Sequence, residues 1–300
     1  PGTPWKPVLK KPLHVVIVCF DLKGDRKDEY LMTVYAALSI FKKHAQYDPS
    51  QINVHIYTDN DAPFHYIKDK VNIRVMTRPE MDAWMNQGAD PYVFFIKMEV
   101  LKEMAASTTD PFFFMDSDII MLKDLKPVVE SLSKDVSFMA KAEYKLNERT
   151  NTQGFMQNLR QMCDDGDTTA LHIKSELGGL SDHFLSGEMM MWNAGIVGLD
   201  PSNFDIIDKS IALTKEFLEV RKTMAPEFHI HTIEQISYAL FLSMQSKLYP
   251  AEHYLNHYWG DKPTYIHKIK VFLDKVYDEG ISFDDLIYTN KHDDIWFYSV

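Results

Sequence analysis

His14-Val-Val-Ile-Val-Cys-Phe20 is an uninterrupted apolar stretch that is rich in β-branched residues. Such a run is typical of a strand that is buried on both faces of a parallel sheet. A helical stripe over 28–43 follows it, and an alternating second strand is predicted over 52–57. Strands that alternate with helices in this way indicate an α/β sheet with right-handed crossovers. Ligands of such sheets bind at the carboxyl ends of the strands.

Further elements of the same kind follow along the chain. The patterns predict strands over 71–76, 111–115 and 189–199, and helices over 93–106, 204–221 and 232–244. The region 131–187 is more polar and contains Gly178-Gly179, so we expect a loop-and-helix insertion over the sheet. The domain prediction is a proline-rich linker over 1–12, a catalytic domain over 13–263 and a C-terminal extension over 264–300 that packs on it.

Composition excludes several classes of protein. The net charge of −11 in 300 residues disfavours a nucleic-acid partner, because phosphate binding requires Lys and Arg. Two cysteines exclude a disulfide scaffold, and no apolar stretch approaches the roughly 20 residues that a bilayer requires. The chain begins at Pro1 without methionine, so membrane association through a preceding segment stays open. The expected locations are the cytoplasm, a membrane periphery, or the Golgi lumen after removal of an anchor.

An Asp-x-Asp pattern occurs three times, but only the pair Asp116 and Asp118 lies between two apolar stretches. Buried carboxylates need a cationic partner or a metal. Residues two apart in an extended chain project to the same side, so both can approach one cation. Carboxylate oxygens suit Mg²⁺ or Mn²⁺. The alternative is a pair of capping or turn aspartates at a strand end.

Three further groups are candidates for chemistry. His257-Tyr-Trp-Gly260-Asp-Lys262 combines a metal-binding imidazole, a glycine that allows close approach of a phosphate, and a cation. It is equally compatible with an aromatic loop around a core histidine, and more weakly with a helical zinc site that includes His253. Asn193-Ala-Gly195 opens a strand where a ligand can pass closely, or where a helix packs tightly. Thr232 could cap a helix, and Glu234 in its first turn could interact favourably with the helix dipole.

Taken in order, these elements resemble the retaining A-type (GT-A) glycosyltransferases, and most of all the glycogenin and bacterial lipooligosaccharide galactosyltransferase family. The matching motifs extend over about residues 14 to 263. The resemblance implies a GT-A fold, with a mixed, mostly parallel central sheet flanked by helices and a Rossmann-like nucleotide-binding half. It also implies that Asp116, Asp118 and His257 hold Mn²⁺, or Mg²⁺, on the diphosphate of a UDP-sugar.

The resemblance assigns the remaining roles by position. Gln235 and Glu234 would be catalytic, because they match the family's Asp-Gln and would position the sugar and stabilise its positive charge. The implied donor-binding residues are Cys19, Phe20, Asp21, Lys97, Ser117, Asn193, Ala194, Gly195, Gly260 and Lys262. The sequence departs from the family in having Glu234 for Asp, in a spacing of five residues from His257 to Lys262, and in a long insertion before Asn193.

The implied function is metal-dependent, retaining transfer of a hexose from a UDP-sugar to a hydroxyl group of a glycan or glycoconjugate. A haloacid-dehalogenase-like phosphatase also carries Asp-x-Asp after an apolar strand. That family expects Thr or Val where this chain has Ile120. A non-catalytic carbohydrate-binding protein on a GT-A fold is the other alternative, and the complete metal-binding triad argues against it.

Overall fold

The computed structural model describes residues 6–298 of the chain. Its strands are β1 (Leu13–Cys19), β2 (Ile52–Thr58), β3 (Asn72–Val75), β4 (Phe112–Asp116), β5 (Ile119–Met121), β6 (Val136–Lys145), β7 (Met190–Leu199), β8 (Lys247–Pro250) and β9 (Leu255–His257). Its helices are α1 (Asp28–Lys43), α2 (Arg78–Met85), α3 (Phe94–Ser107), α4 (Lys126–Ser131), α5 (Thr150–Asp164), α6 (Thr168–Leu177), α7 (Ser181–Leu185), α8 (Asp205–Arg221), α9 (Ile233–Gln245), α10 (Lys262–Asp278) and α11 (Phe283–Tyr288). The predicted strands and helices outside 131–187 are confirmed to within one or two residues.

A seven-stranded sheet in the order β3-β2-β1-β4-β7-β6-β8 forms the centre of the protein. Strands β1 to β4 pair with one another in parallel, as β3–β2, β2–β1 and β1–β4. Strand β7 lies between β4 and β6 and is antiparallel to both. Strand β8 restores a parallel pair at the edge. The predicted mixed, mostly parallel sheet flanked by helices is therefore confirmed.

Both faces of this sheet are buried, which explains the continuous apolar runs of its strands. Val16 and Phe114 contribute to an apolar cluster with residues of α3, α8 and α9. Val15, Ile17 and Phe113 contribute to a second cluster with residues of α1, α10 and α11. Neighbouring residues of one strand point to opposite faces. A strand that is covered on both faces therefore needs apolar residues at every position.

The region 131–187 differs from its prediction. Helices α5, α6 and α7 confirm the helical part, but β6 is a ten-residue strand inside the sheet, between β7 and β8. Lys141, Glu143 and Lys145 alternate with less polar residues along its second half, and the pairing with β7 shifts register twice there. The prediction of a loop-and-helix insertion alone is wrong, because the charged residues of this segment belong to the partly exposed second half of β6.

The ends of the described chain pack against α1. Helix α10 begins at Lys262 and, with α11, lies over α1, where its Phe272 and Leu273 are buried. At the other end, Lys6 donates a hydrogen bond to the Ala45 carbonyl, and Leu9 is buried. The first five residues of the predicted linker 1–12 lie outside the described residues. None of the described helices has both the length and the apolar character needed to cross a membrane.

Candidate active site

A cavity of about 470 Å³ opens at the carboxyl ends of β1 and β4. Because these two strands are parallel neighbours, their carboxyl ends meet at one edge of the sheet. The loops and helices that follow them bring distant parts of the chain to the same space. The predicted site residues that line the cavity are Cys19, Phe20, Lys97, Asp116, Ser117, Asp118, Asn193, Gln235, His257 and Lys262.

Two short strands build an acidic cluster in this cavity. Asp116 ends β4, and β5 begins directly after Asp118. Strand β9 pairs with β5 so that His257 lies opposite Ile119. The potential ligand atoms of Asp116, Asp118 and His257 all lie within 4.8 Å of one another. Two carboxylates and one imidazole are a donor set that suits Mn²⁺ or Mg²⁺, so the predicted ligands fit a divalent cation. The weaker prediction of a helical zinc site with His253 is wrong, because His257 lies in a strand.

Asn193 and Gly195 fix the orientation of the His257 ring. The Asn193 Oδ1 accepts a hydrogen bond from the Gly195 N–H at 2.8 Å and lies 3.1 Å from His257 Nδ1. An amide oxygen can only accept, so Nδ1 carries the proton and Nε2 faces the carboxylates. A Cβ atom at Gly195 would lie 2.6 Å from the imidazole Cε1. Glycine at this position therefore allows the close approach of the ring.

Cations compensate both aspartates. Asp118 lies 2.9 Å from Lys262 Nζ and 3.1 Å from His257 Nε2. Although burial opposes ionisation, the hydrogen bond and charge of His257, together with Lys262, lower the pKa of Asp118. Burial raises the pKa of Asp116, and the nearby Lys97, 3.3 Å away, opposes this effect. Asp118 is therefore the firmly charged member of the pair.

Lys97 links helix α3 to Ala194 in β7. Its Nζ donates a hydrogen bond to the Ala194 carbonyl at 2.6 Å and lies 4.2 Å from the centre of the Phe114 ring. The side chain is largely buried and still lines the cavity. An ammonium group that is held by three protein partners is preorganised to face an anionic ligand.

Glu29 is a site residue that the sequence prediction missed. It lies in the first turn of α1 and accepts a hydrogen bond from the Ser117 hydroxyl. Arg26 lies 2.9 Å from its carboxylate and Lys262 lies 3.5 Å away. A helix that follows a buried parallel strand begins at the ligand-binding edge of the sheet, and this signal could have identified Glu29.

Gln235 and Glu234 occupy different environments. Gln235 lines the cavity, whereas Glu234 is fully buried and does not. The Tyr92 hydroxyl donates a hydrogen bond to Glu234 Oε2, while Oε1 has no partner. Burial raises the pKa of Glu234 to about 7. Thr232 makes no side-chain capping bond, contrary to the capping prediction, and its side chain lines the cavity instead.

Four predicted donor-binding residues do not line the cavity. The Asp21 N–H donates a hydrogen bond to Asp59 Oδ2 at 3.0 Å, which fixes the chain after β1. Ala194 contributes its carbonyl to Lys97, and Gly195 makes room for His257. Gly260 lies in a 3₁₀ turn, where a Cβ atom would meet no atom within 4 Å.

Part of the cavity lining comes from β6 and the turn after it. Its residues are Glu143, Tyr144 and Arg149, which sequence reasoning missed together with β6. The Arg149 guanidinium lies 3.9 Å from the centre of the Tyr144 ring. Glu143 accepts a hydrogen bond from the Asn193 amide at 3.2 Å. The alternation of charged and less polar residues over 141–145 could have indicated the strand, but it does not place adjacent Glu143 and Tyr144 in one cavity and does not reach Arg149.

No family model and no curated protein matches this chain. Among solved structures, it is similar to the galactosyltransferase LgtC in complex with donor and acceptor sugar analogs, with 14% identity over 78% of this chain and 72% of the other and a TM-score of 0.46. It is also similar to mouse xyloside xylosyltransferase 1, with 11% identity over 79% and 84% of the two chains and a TM-score of 0.46. Another similar structure is the glycosyltransferase GlyE of Streptococcus pneumoniae, with 10% identity over 97% of this chain and 57% of the other and a TM-score of 0.42.

Proposed function

We propose that this protein is a metal-dependent glycosyltransferase that moves a hexose from a UDP-sugar to a hydroxyl group of a glycan or glycoconjugate, with retention at the anomeric carbon. One observation carries the proposal. Asp116, Asp118 and His257 converge in a cavity that Lys97 and Lys262 also line. Carboxylates and an imidazole that can hold a cation, beside two ammonium groups, match the charge of a diphosphate leaving group.

The residues of the cavity can bind and orient a nucleotide sugar. A divalent cation bound by Asp116, Asp118 and His257 supplies charge neutralisation on the diphosphate. Lys262 and Lys97 add fixed positive charge for the phosphate oxygens that the departing diphosphate exposes. Cys19 and Phe20, which line the cavity at the end of β1, would contact the uridine of the donor. Ser117 is held by Glu29, so it positions the turn between the two aspartates.

Transfer breaks the bond between the anomeric carbon and the phosphate oxygen, and forms a bond from that carbon to the acceptor oxygen. The acceptor proton passes to an oxygen of the leaving diphosphate in a retaining transfer of this type. The Gln235 amide lines the cavity and can face the sugar as positive charge develops on it. Glu234 does not reach the cavity, so we assign it a positioning role: together with Tyr92 it holds the start of α9 and therefore Gln235.

The test is a calorimetric titration of UDP into the protein with and without Mn²⁺. We expect micromolar UDP binding that requires the metal and falls by roughly 100-fold or more in His257→Gln, because a lost metal ligand exceeds the 10–100-fold effect of an outer-shell partner. His253→Gln is the matched control, since His253 is exposed and four residues away. Absence of UDP binding in both conditions, or equal binding without metal, would contradict the proposal.

A further inference from the structure

Two ion pairs join the first turn of α1 to helix α10. Asp28 lies 2.8 Å from Lys270, and both side chains are nearly half exposed. Glu29 lies 3.5 Å from Lys262, and both side chains line the cavity. The two pairs have the same charges and join the same two helices. They differ in that only the second pair faces the proposed metal ligands.

Lys262 serves two carboxylates at once. Its Nζ lies 2.9 Å from Asp118 Oδ2 and 3.5 Å from Glu29 Oε1. Asp118 is 7% exposed, so its charge requires a close cationic partner. A divalent cation at Asp118 and the Lys262 ammonium carry like charges and compete for the same carboxylate. Cation binding therefore weakens the hold of Asp118 on Lys262, and Glu29 is then the second carboxylate partner within 3.5 Å of the ammonium.

Glu29 is built to be that partner. Its carboxylate is 13% exposed and is held by the Ser117 hydroxyl and by Arg26. Since Ser117 lies between the two proposed metal ligands in sequence, Glu29 is connected to the aspartate turn through a hydrogen bond as well as through Lys262. Its position does not depend on Lys262, so it is available when Lys262 leaves Asp118.

We propose that Glu29 is a positioning residue, which receives the Lys262 ammonium when a divalent cation binds at Asp118 and holds it ready for the donor diphosphate. The inference rests on the proposed function, because it concerns the same metal and donor site. In this arrangement Lys262 weakens the binding of the metal alone and strengthens the binding of the metal with UDP. Glu29 limits the weakening of metal binding, because it attracts the Lys262 ammonium away from Asp118.

The experiment is a titration of Mn²⁺ alone, followed by UDP in saturating Mn²⁺, by calorimetry. In Lys262→Met we expect Mn²⁺ to bind about tenfold more tightly and UDP about tenfold more weakly, because the competing ammonium and its contact with phosphate are both lost. In Glu29→Gln, which can still accept the Ser117 hydrogen bond, we expect weaker binding of Mn²⁺, because Lys262 then stays on Asp118. Asp28→Asn and Lys270→Met change the same charges in the outer pair, so we expect both variants to titrate like the wild type.

The double variant separates this role from a general electrostatic effect. If Glu29 acts through Lys262, Glu29→Gln changes Mn²⁺ affinity in the wild type and has little effect in the Lys262→Met background. An equal effect in both backgrounds would mean that Glu29 acts on the metal directly through its charge and not through Lys262, and it would overturn the inference. Thermal unfolding of each variant checks that the fold is intact.

The outcomes distinguish this inference from the proposed function. If the wild type binds Mn²⁺ and UDP but Lys262→Met binds Mn²⁺ no more tightly, the inference fails and the glycosyltransferase proposal stands. If Mn²⁺ alone binds to neither protein, the inference fails, and the UDP titration with and without Mn²⁺ decides the proposed function separately. If Mn²⁺ binds only after Lys262 is replaced, the competition is confirmed in its strongest form.

Discussion

Two histidine clusters lie toward opposite edges of the central sheet. The cavity cluster (Asp116, Asp118 and His257) is at the carboxyl end of β4. The far-edge cluster (His14, His55 and Asp110) lies toward the amino ends of β1 and β4. There the rings of the two histidines stack with their centres 5.3 Å apart, and His14 Nε2 is 3.6 Å from Asp110 Oδ2.

The two clusters differ in how burial is compensated. At the far edge, burial lowers the pKa of His14, and burial with the neighbouring His14 lowers the pKa of His55 to about 4. In the cavity, His257 and Lys262 keep Asp118 charged although it is buried. Partially buried groups without a strong counter-charge become neutral, whereas groups with one stay ionised. At the cavity a bound divalent cation can replace the internal cations that compensate Asp118, whereas the two neutral rings at the far edge carry no negative charge to be compensated.

The largest expected effect is the loss of Mn²⁺ binding when the negative charge of Asp118 is removed from the cavity cluster. We expect Asp118→Asn to weaken Mn²⁺ binding and metal-dependent turnover of the UDP-sugar by roughly 100-fold or more, because it removes a ligand rather than an outer-shell partner. The matched change at the far edge, Asp110→Asn, should leave both unchanged. Calorimetry with Mn²⁺ and an assay of UDP release measure the two effects. Similar losses in both variants would show that the contrast between the clusters is mistaken.

Glu234 extends the comparison to a buried carboxylate behind the cavity. Burial raises its pKa to about 7, from the ordinary glutamate value of 4.5. Between these values the unfolded chain releases a proton that the folded protein keeps, so the wild type loses stability as pH rises. We expect Glu234→Gln to gain about 2 kcal/mol relative to the wild type between pH 5 and pH 8. Urea unfolding of both proteins at the two pH values measures this difference.

The exposed Glu227 provides the control for that experiment. Glu227→Gln should unfold with the same pH dependence as the wild type. A constant difference between Glu234→Gln and the wild type from pH 5 to pH 8 would mean that Glu234 is ionised in the folded protein over this range. It would then resemble Asp118 rather than His55.

The sequence predicts much of the cavity because its central residues break strong local patterns. Asp116 and Asp118 interrupt a stretch that is otherwise apolar enough for both faces of a sheet, and such an interruption has few structural explanations. Glu29 and Arg149 could not be found in this way. They lie in a first helical turn and a surface turn, where charged residues are ordinary. Only the topology brings them to the edge of the sheet where β1 and β4 end.

The residues around His257 show a second limit of sequence reasoning. The sequence indicates Asn193 and Gly195 as a motif, but the structure gives Gly195 a steric role toward the histidine ring that no local pattern contains. The register of β9 on β5 creates that contact across 60 residues of sequence and more. The same limit applies to β6, whose charged and partly exposed second half resembles part of an insertion. Long-range pairing decides these details, and local periodicity does not encode it.

The smallest expected effect is a change in the pH dependence of stability when His55 of the far-edge cluster is replaced. Burial and the neighbouring His14 lower the pKa of His55 from its ordinary value of 6.5 to about 4. As pH falls below 6.5 the unfolded chain takes up a proton that the folded ring does not, so the wild type loses stability. Since the ring is partly exposed, we expect the wild type to lose about 1 kcal/mol more stability than His55→Gln between pH 7 and pH 5. Urea unfolding at the two pH values measures it, with the exposed His253→Gln as the control. If His55→Gln retained the full pH dependence of the wild type, the ring would titrate normally in the fold, and burial alone would not distinguish the far-edge cluster from the cavity cluster.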